Sequence, residues 1–191
     1  MKGAEATLSK TSFLGLPAVE KFRVEKKYRN PKLDAAIRSS RTKKEARLLE
    51  KAKAAGVLCP VVYRAGDFSI CMKYLEGSML YHELRSREIS RKEISEAAKI
   101  IVKLHSSGIV HGDYTPANLM LIDNEMAVID FGLGSISNDD EDKATDIVMM
   151  KKALGAQGGK FVSAYARQKG SRAVIRMVAE IEKRARYMER G

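Results

Sequence analysis

HGDYTPANLMLIDNEMAVIDFG, residues 111–132, carries the strongest structural signal in the chain. Two short apolar runs, LMLI and MAVI, flank Asp123, Asn124 and Glu125, and read as a hairpin with a turn of about three residues. Asp113 precedes it on a loop, Asn118 sits at its mouth, and Asp130 follows its second strand. A hairpin brings its two ends together, so Asn118 and Asp130 are expected to converge on one point. Their amide and carboxylate oxygens are hard donors suited to Mg²⁺, an ion that keeps waters and phosphate oxygens in its shell. Phosphoryl transfer asks little covalent chemistry of a protein, but it needs a carboxylate near the acceptor oxygen and polar ligands that hold metal against the phosphates. Asp113, Asn118 and Asp130 can supply both.

Upstream, ATLSKTSFLG and LPAVEKFRV carry short apolar and β-branched runs broken by Gly15 and Pro17, and read as strands. From Pro31 to Ala55, Leu33 and Ile37 and then Leu48, Leu49, Ala52 and Ala55 recur near the helical period. This predicts one long helix that Gly56 stops. Two more strands follow, VVYRA and FSICMKYL, and EGS opens a break near residues 74–78. Beyond it, Ile94, Ala97, Ile101 and Leu104 mark a helix over Ser90–Ser106 that Gly108 ends. After the hairpin a helix starts behind SNDDED, where Asn138 with Glu141 resembles a capping box and Ile147, Val148 and Leu154 carry the apolar face. A last helix covers residues 171–187. The chain reads as strands with one helix, a break, and a mainly helical half with a small hairpin.

With 45% hydrophobic and 31% charged residues in a chain of 191, the composition is that of a globular protein with one core or two modest ones sharing an interface. No apolar run approaches the roughly 20 residues that span a bilayer. MKGAEATLSK lacks the long apolar stretch of a secretory signal, so the protein is expected in the cytoplasm and away from membranes. Cys59 and Cys71 lie in apolar runs without CxxC spacing and read as buried, reduced thiols. The net charge of +11 gathers in RVEKKYRNPK, SSRTKKEAR and EKRARYMERG. Such blocks mark either a polyanionic partner or solvated helix faces.

HxDxxxxN followed by DFG resembles the catalytic loop and metal-binding motif of protein kinases, here His111-Gly-Asp113 with Asn118 and Asp130-Phe-Gly132. The resemblance implies an α+β fold in two lobes: a small β-rich N-lobe with one long helix over residues 1–75, and a reduced, mainly helical C-lobe over 76–191. It implies ATP and Mg²⁺ as cofactors, Asp113 as the catalytic residue, and Asn118 and Asp130 as metal ligands. Lys21 stands in the place of the strand lysine that pairs with the α- and β-phosphates. Glu45 is its expected partner, because it lies on the apolar stripe with Leu48, Leu49 and Ala52, where an unpaired carboxylate is costly. Met72 would lie behind the adenine, and the backbone from Lys73 to Leu75 would hydrogen-bond it. His111 is expected to prop the loop, and Asp146 to receive its backbone N–H groups.

Departures from the kinase pattern narrow the reading. Gly3 alone, in KGAEATL, stands where a GxGxxG nucleotide-covering loop is expected, Gly112 replaces the usual Arg before the catalytic Asp, and no APE follows DFG. Activation-loop switching and a platform for a peptide substrate are therefore expected to be absent. Together these features are similar to the small atypical kinase subunit of the KEOPS (EKC) complex, the Bud-thirty-two or piD family. GAEA at 3–6, KKYRNPKLD at 26–34, RTKKEARLL at 41–49, LHSSGIVHGDYTPANLML at 104–121 and IDFGLG at 129–134 carry that resemblance. Lys73 departs from the family's acidic hinge residue, and RAR at 184–186 from its RGR. The resemblance implies an ATPase-fold partner and other KEOPS subunits, contact with tRNA through the assembly, and a role in threonylcarbamoyl-adenosine modification. ATP hydrolysis would be at least as prominent as serine/threonine phosphorylation. Two readings stand beside it. A small-molecule phosphotransferase of the aminoglycoside or choline kinase type would need a helical insertion for which this chain lacks room. A non-catalytic nucleotide-binding scaffold would have no need of Asp113.

Overall fold

The computed structural model describes residues 6–188. Strands β1 (Ala6–Phe13), β2 (Leu16–Arg23), β3 (Val62–Ala65) and β4 (Ser69–Lys73) form an antiparallel sheet in the order β1-β2-β4-β3. Phe13 pairs with Leu16. The two residues between them, Leu14 and Gly15, both have positive φ (50° and 81°), the turn whose twist suits a two-residue hairpin. Helix α1 (Pro31–Ala54) packs against β3 and β4. The Asn30 side chain caps it by accepting from Lys32 N (3.0 Å) and Leu33 N (3.4 Å), and Pro31 stands where no intrahelical N–H is needed. Gly56 leaves the helix at φ +72°, a conformation open to glycine.

The apolar stripe of α1 buries Ala46, Leu48, Leu49 and Ala52, but Leu33 does not join it and is exposed. Asp34 takes the buried side of that first turn, where Arg38 Nε donates to its Oδ2 at 2.6 Å and Lys26 N to its Oδ1 at 3.3 Å. Two donors compensate a desolvated carboxylate, so polarity and burial part company here.

The remainder is mainly helical: α2 (Leu80–Ser86), α3 (Arg91–Ser106), α4 (Asp140–Ala153), α5 (Gly158–Ala166) and α6 (Arg172–Met188). α3 packs on α5, and α4 on α5 and α6. Ile94, Ala97, Ile101 and Leu104 of α3 are all buried, with Tyr114 and Phe161 filling the space beside them. A Ser90–Glu93 capping box opens α3: Ser90 Oγ accepts Glu93 N, and Glu93 Oε2 accepts Ser90 N. Short strands complete the half. β5 (Ser78–Met79), β7 (Leu119–Ile122) and β8 (Glu125–Val128) make one sheet, and β6 (Ile109–Val110) pairs with β9 (Ser135–Ile136).

Two local expectations are corrected. The β7–β8 turn holds two residues and not three, because Asp123 (φ 46°) and Asn124 (φ 68°) both adopt positive φ and let Ile122 pair with Glu125. The cap of α4 is Asp139 and not Asn138: its carboxylate accepts Glu141 N at 2.8 Å. Helices α2 and α5 are too short to show a sustained apolar period in the sequence. Cys59 and Cys71 are buried free thiols, and burial pushes the Cys59 thiol up to about 11. Among the described residues no helix is long and apolar enough to cross a membrane.

Candidate active site

The hairpin delivers Asn118 and Asp130 to one place. Leu119 pairs with Val128, and Ile129 N donates to Asn118 O at 3.0 Å, so each expected metal ligand flanks a paired residue at the open end of the ladder. Asn118 ends a short 3₁₀ turn, Pro116–Asn118. Its Nδ2 donates to Asp113 O (2.8 Å) and Asp113 Oδ2 (2.9 Å). Both amide hydrogens thus address Asp113, which fixes that carboxylate and turns Asn118 Oδ1 the other way.

Asp130 has φ +59°, a left-handed conformation that Asp tolerates better than most residues. Its Oδ1 accepts Lys21 Nζ at 2.6 Å and Gly132 N at 3.0 Å. A Cβ on Gly132 would stand 2.9 Å from that same Oδ1, so glycine is needed beside the strained Asp. Burial works to raise the Asp130 carboxyl. The Lys21 charge and hydrogen bond, the Gly132 N–H and His111 outweigh it and hold the group below its ordinary value.

Lys21 reaches this point from the sheet. It lies on β2, buried, with Nζ 2.7 Å from Glu45 Oε1 and 2.6 Å from Asp130 Oδ1. The expected Lys21–Glu45 pair therefore forms and extends to Asp130. Arg23, two residues on and so on the same face of the strand, places Nη2 2.6 Å from Glu45 Oε2. Each oxygen of a carboxylate that is 1% exposed has its own cation. Removing Glu45 would leave two buried cations without it, whereas removing Lys21 leaves Glu45 with Arg23. Glu45→Ala is expected to destabilise by about 3–5 kcal/mol and Lys21→Ala by less. In urea denaturation the two should be non-additive by roughly 0.5–3 kcal/mol; a double variant equal to the sum of the singles would show that the pair does not form.

Below the hairpin the loop hangs on Asp146. This fully buried carboxylate accepts His111 N and Gly112 N, each at 2.8 Å, and lies 3.2 Å from His105 Nε2. The other His105 nitrogen meets Tyr165 Oη at 3.0 Å. The His111 ring spans from Asp113 N (3.3 Å) to Ile129 O (3.2 Å), tying Asp113 to the end of the hairpin as a prop would. Burial drives its pKa down against the pull of Asp146, Ile129 O, Asp130 and Asp113, which keeps the ring neutral in this role. Gly112 has φ +76°, and a Cβ there would stand 2.5 Å from Leu133 O. The loop therefore has no room for the arginine that kinases carry at that place.

The adenine end needs one correction. Met72 is buried in β4 between Val19 and Val62, as expected. However, Lys73 N is spent on Val61 O (2.8 Å) and Tyr74 N on Pro17 O (3.1 Å). Lys73 then offers only its carbonyl, and Leu75 N is the one donor of the three without an acceptor among the described residues. Gly3 lies outside the described residues. As for metal, no group of three or more His, Cys, Asp or Glu gathers among the described residues. One carboxylate and one amide oxygen suit Mg²⁺ that is held mainly by substrate phosphates, and do not suit an all-protein cage.

The RIO domain family profile matches residues 17–151, which takes in Lys21, Glu45 and the whole loop and hairpin. A protein of Archaeoglobus fulgidus named as a probable serine/threonine-protein kinase BUD32 homolog is 35% identical over 90% of this chain and 89% of its own length. The chain belongs to this RIO-domain, BUD32-type family. Probable bifunctional tRNA threonylcarbamoyladenosine biosynthesis proteins also match: that of Methanobrevibacter smithii is 40% identical over 97% of this chain, and that of Methanococcus maripaludis strain C7 is 38% identical over 98%. This RIO-domain chain spans 36% of the length of each. A crystal structure of the Rio2 kinase of Chaetomium thermophilum in an ADP/Mg²⁺-phosphoaspartate complex aligns with a TM-score of 0.66, at 13% identity, over 96% of this chain and 70% of that one. The fold is thus the kinase-like RIO fold, a β-sheet lobe and a helical lobe.

Within it, Arg23 and His105 are the site-supporting residues that sequence reading missed. Arg23 could have been found from the strand's two-residue period, which puts it on the face of Lys21. Nothing local marks His105, whose partners Asp146 and Tyr165 come from α4 and α5.

Proposed function

We propose that this chain binds Mg-ATP and transfers or hydrolyses its γ-phosphate, as the kinase-fold member of an assembly that makes threonylcarbamoyladenosine on tRNA. The observation that carries the reading is the convergence of Lys21 from β2, Glu45 from α1, and Asp113, Asn118 and Asp130 from the loop and hairpin. In this reading the nucleotide sits between lobes of residues 1–75 and 76–191, with Met72 behind the adenine and Leu75 N and Lys73 O at its edge. Lys21 carries positive charge to the α- and β-phosphates, and Glu45, itself held by Arg23, keeps it there. Asp130 and Asn118 Oδ1 hold magnesium, which when bound neutralises charge on the phosphates. Asp113, held by the Asn118 amide, takes the proton of the attacking hydroxyl or water.

Residues 133–139 are all that lie between DFG and α4, which is short for a peptide-binding platform and favours hydrolysis as the main outcome. The tRNA role rests on the names of the relatives. Their bifunctional label supports a second activity working beside this domain, for which an ATPase-fold KEOPS subunit is the proposed partner. Asp113→Asn should leave nucleotide affinity within a few fold while cutting the turnover rate by roughly 10²–10⁴. Isothermal titration and steady-state phosphate release measure the two. A collapse of affinity would make Asp113 a structural or metal residue and overturn its assignment as base.

A further inference from the structure

The cations of the three basic blocks are partly spent inside the fold. Arg23 is bound to Glu45, Arg29 and Arg38 flank Asp34, and Arg184 reaches Glu141. A different set of cations is gathered where the sequence shows no block. Between α3 and α5 lies an open cavity of about 420 Å³ whose charged lining is Arg91, Lys160 and Arg167, with Ser95 and Gln168 beside them and Ile94 at the floor. No carboxylate lines it.

Neither the Arg91 nor the Arg167 side chain has an ion-pair or hydrogen-bond partner among the described residues. Lys160 has only the highly exposed Glu88, at 3.9 Å. Elsewhere on the same surface arginines are neutralised: Arg87, near the start of α3, holds both Glu83 and Glu93. Arg91 is moreover the first residue of α3, where the helix dipole disfavours a cation. Three like charges around one cavity, one of them at the wrong end of a helix, oppose folding. An anion in the cavity removes that opposition.

We infer that the α3–α5 cleft is a phosphate-binding site, and that its occupant is the phosphodiester backbone of an RNA. Planar guanidinium groups from two helices suit the tetrahedral, multiply accepting oxygens of a phosphate, and Ser95 can add a hydroxyl donor. The cleft is open to solvent, as a backbone that enters and leaves requires. The choice of RNA over a free anion rests on the proposed role in tRNA modification; the phosphate chemistry does not.

The test is fluorescence anisotropy of a labelled tRNA transcript with the 191-residue chain, across a salt series and without ATP. Arg91→Ala/Arg167→Ala is compared with Lys53→Ala/Lys152→Ala, which removes the same charge from exposed sites on α1 and α4. The cleft variant is expected to weaken binding by about tenfold or more and to lower the slope of log affinity against log salt by about 1.5–2. The control should change affinity by less than about twofold, and Arg91→Lys/Arg167→Lys, which keeps the charge but loses the planar forks, should fall between the parent and the alanine variant. Unchanged thermal unfolding shows that the variant folds; should it not, Arg167→Glu alone, at the C-cap of α5, reports the same loss. Equal weakening by cleft and control variants, or none by either, overturns the site. Competition by millimolar inorganic phosphate with no effect of the variants on tRNA binding overturns RNA as the occupant. Mg-ATP turnover is read in parallel. Its absence, with the cleft effect intact, removes the phosphoryl-transfer reading and leaves this site standing.

Discussion

Asp130→Ala is expected to reduce Mg-dependent ATP turnover to background, a loss of roughly 10³-fold or more, and to weaken Mg-ATP binding by at least about tenfold. Three effects combine. On the proposed reading the carboxylate that would hold metal against the phosphates is lost, Lys21 loses its 2.6 Å partner, and alanine is strained at φ +59°. The fold should persist, because the Asp130 side chain is half exposed and lies outside the core. Asp130→Asn separates the causes: asparagine tolerates positive φ and still accepts from Lys21, but it lacks the charge. If charge on the metal is what matters, the Asn variant loses turnover almost as fully as Ala. Turnover near the parent level in either variant would sink the assignment. Phosphate release and titration of ATP with and without magnesium are the measurements.

Asp146→Ala is expected to cost about 3–5 kcal/mol of stability in urea denaturation. The carboxylate is wholly buried and accepts His111 N and Gly112 N while facing His105 Nε2. Its removal leaves two N–H groups and an imidazole nitrogen without an acceptor, each worth about 1–3 kcal/mol when stranded. A domain stable by some 5–15 kcal/mol loses a large part of that margin. Turnover should fall as well, since His111 and Gly112 precede Asp113 directly. Asp146→Asn retains one carbonyl oxygen but presents an NH₂ to a donor, so it should fall between parent and Ala. A loss under about 1 kcal/mol would show that the loop is held by other contacts.

The features legible in the amino-acid order are local. The two apolar runs around Asp123 and Asn124 specify a hairpin, and a hairpin must bring Asn118 and Asp130 together. Glu45 was legible because a carboxylate on the stripe of Leu48, Leu49 and Ala52 demands a cation. The kinase resemblance placed Lys21 on its strand, and apolar spacing with the stops at Gly56 and Gly108 gave the extents of α1 and α3 to within a residue or two. Each of these signals lives in residues two to five apart, where backbone period dictates which side chains share a face. The other features arise from contacts between distant segments. Strand order β1-β2-β4-β3 and the two-residue pairs β5, β6 and β9 carry no periodic mark. Whether Arg23 and Arg38 face solvent or hold buried Glu45 and Asp34 depends on packing that brings distant segments together. Arg91, Lys160 and Arg167 lie outside the three basic blocks, yet α3 and α5 set them around one cavity. Charge along a chain and charge in space diverge because counter-ions are chosen by contact, and contacts between helices and sheets ignore sequence distance.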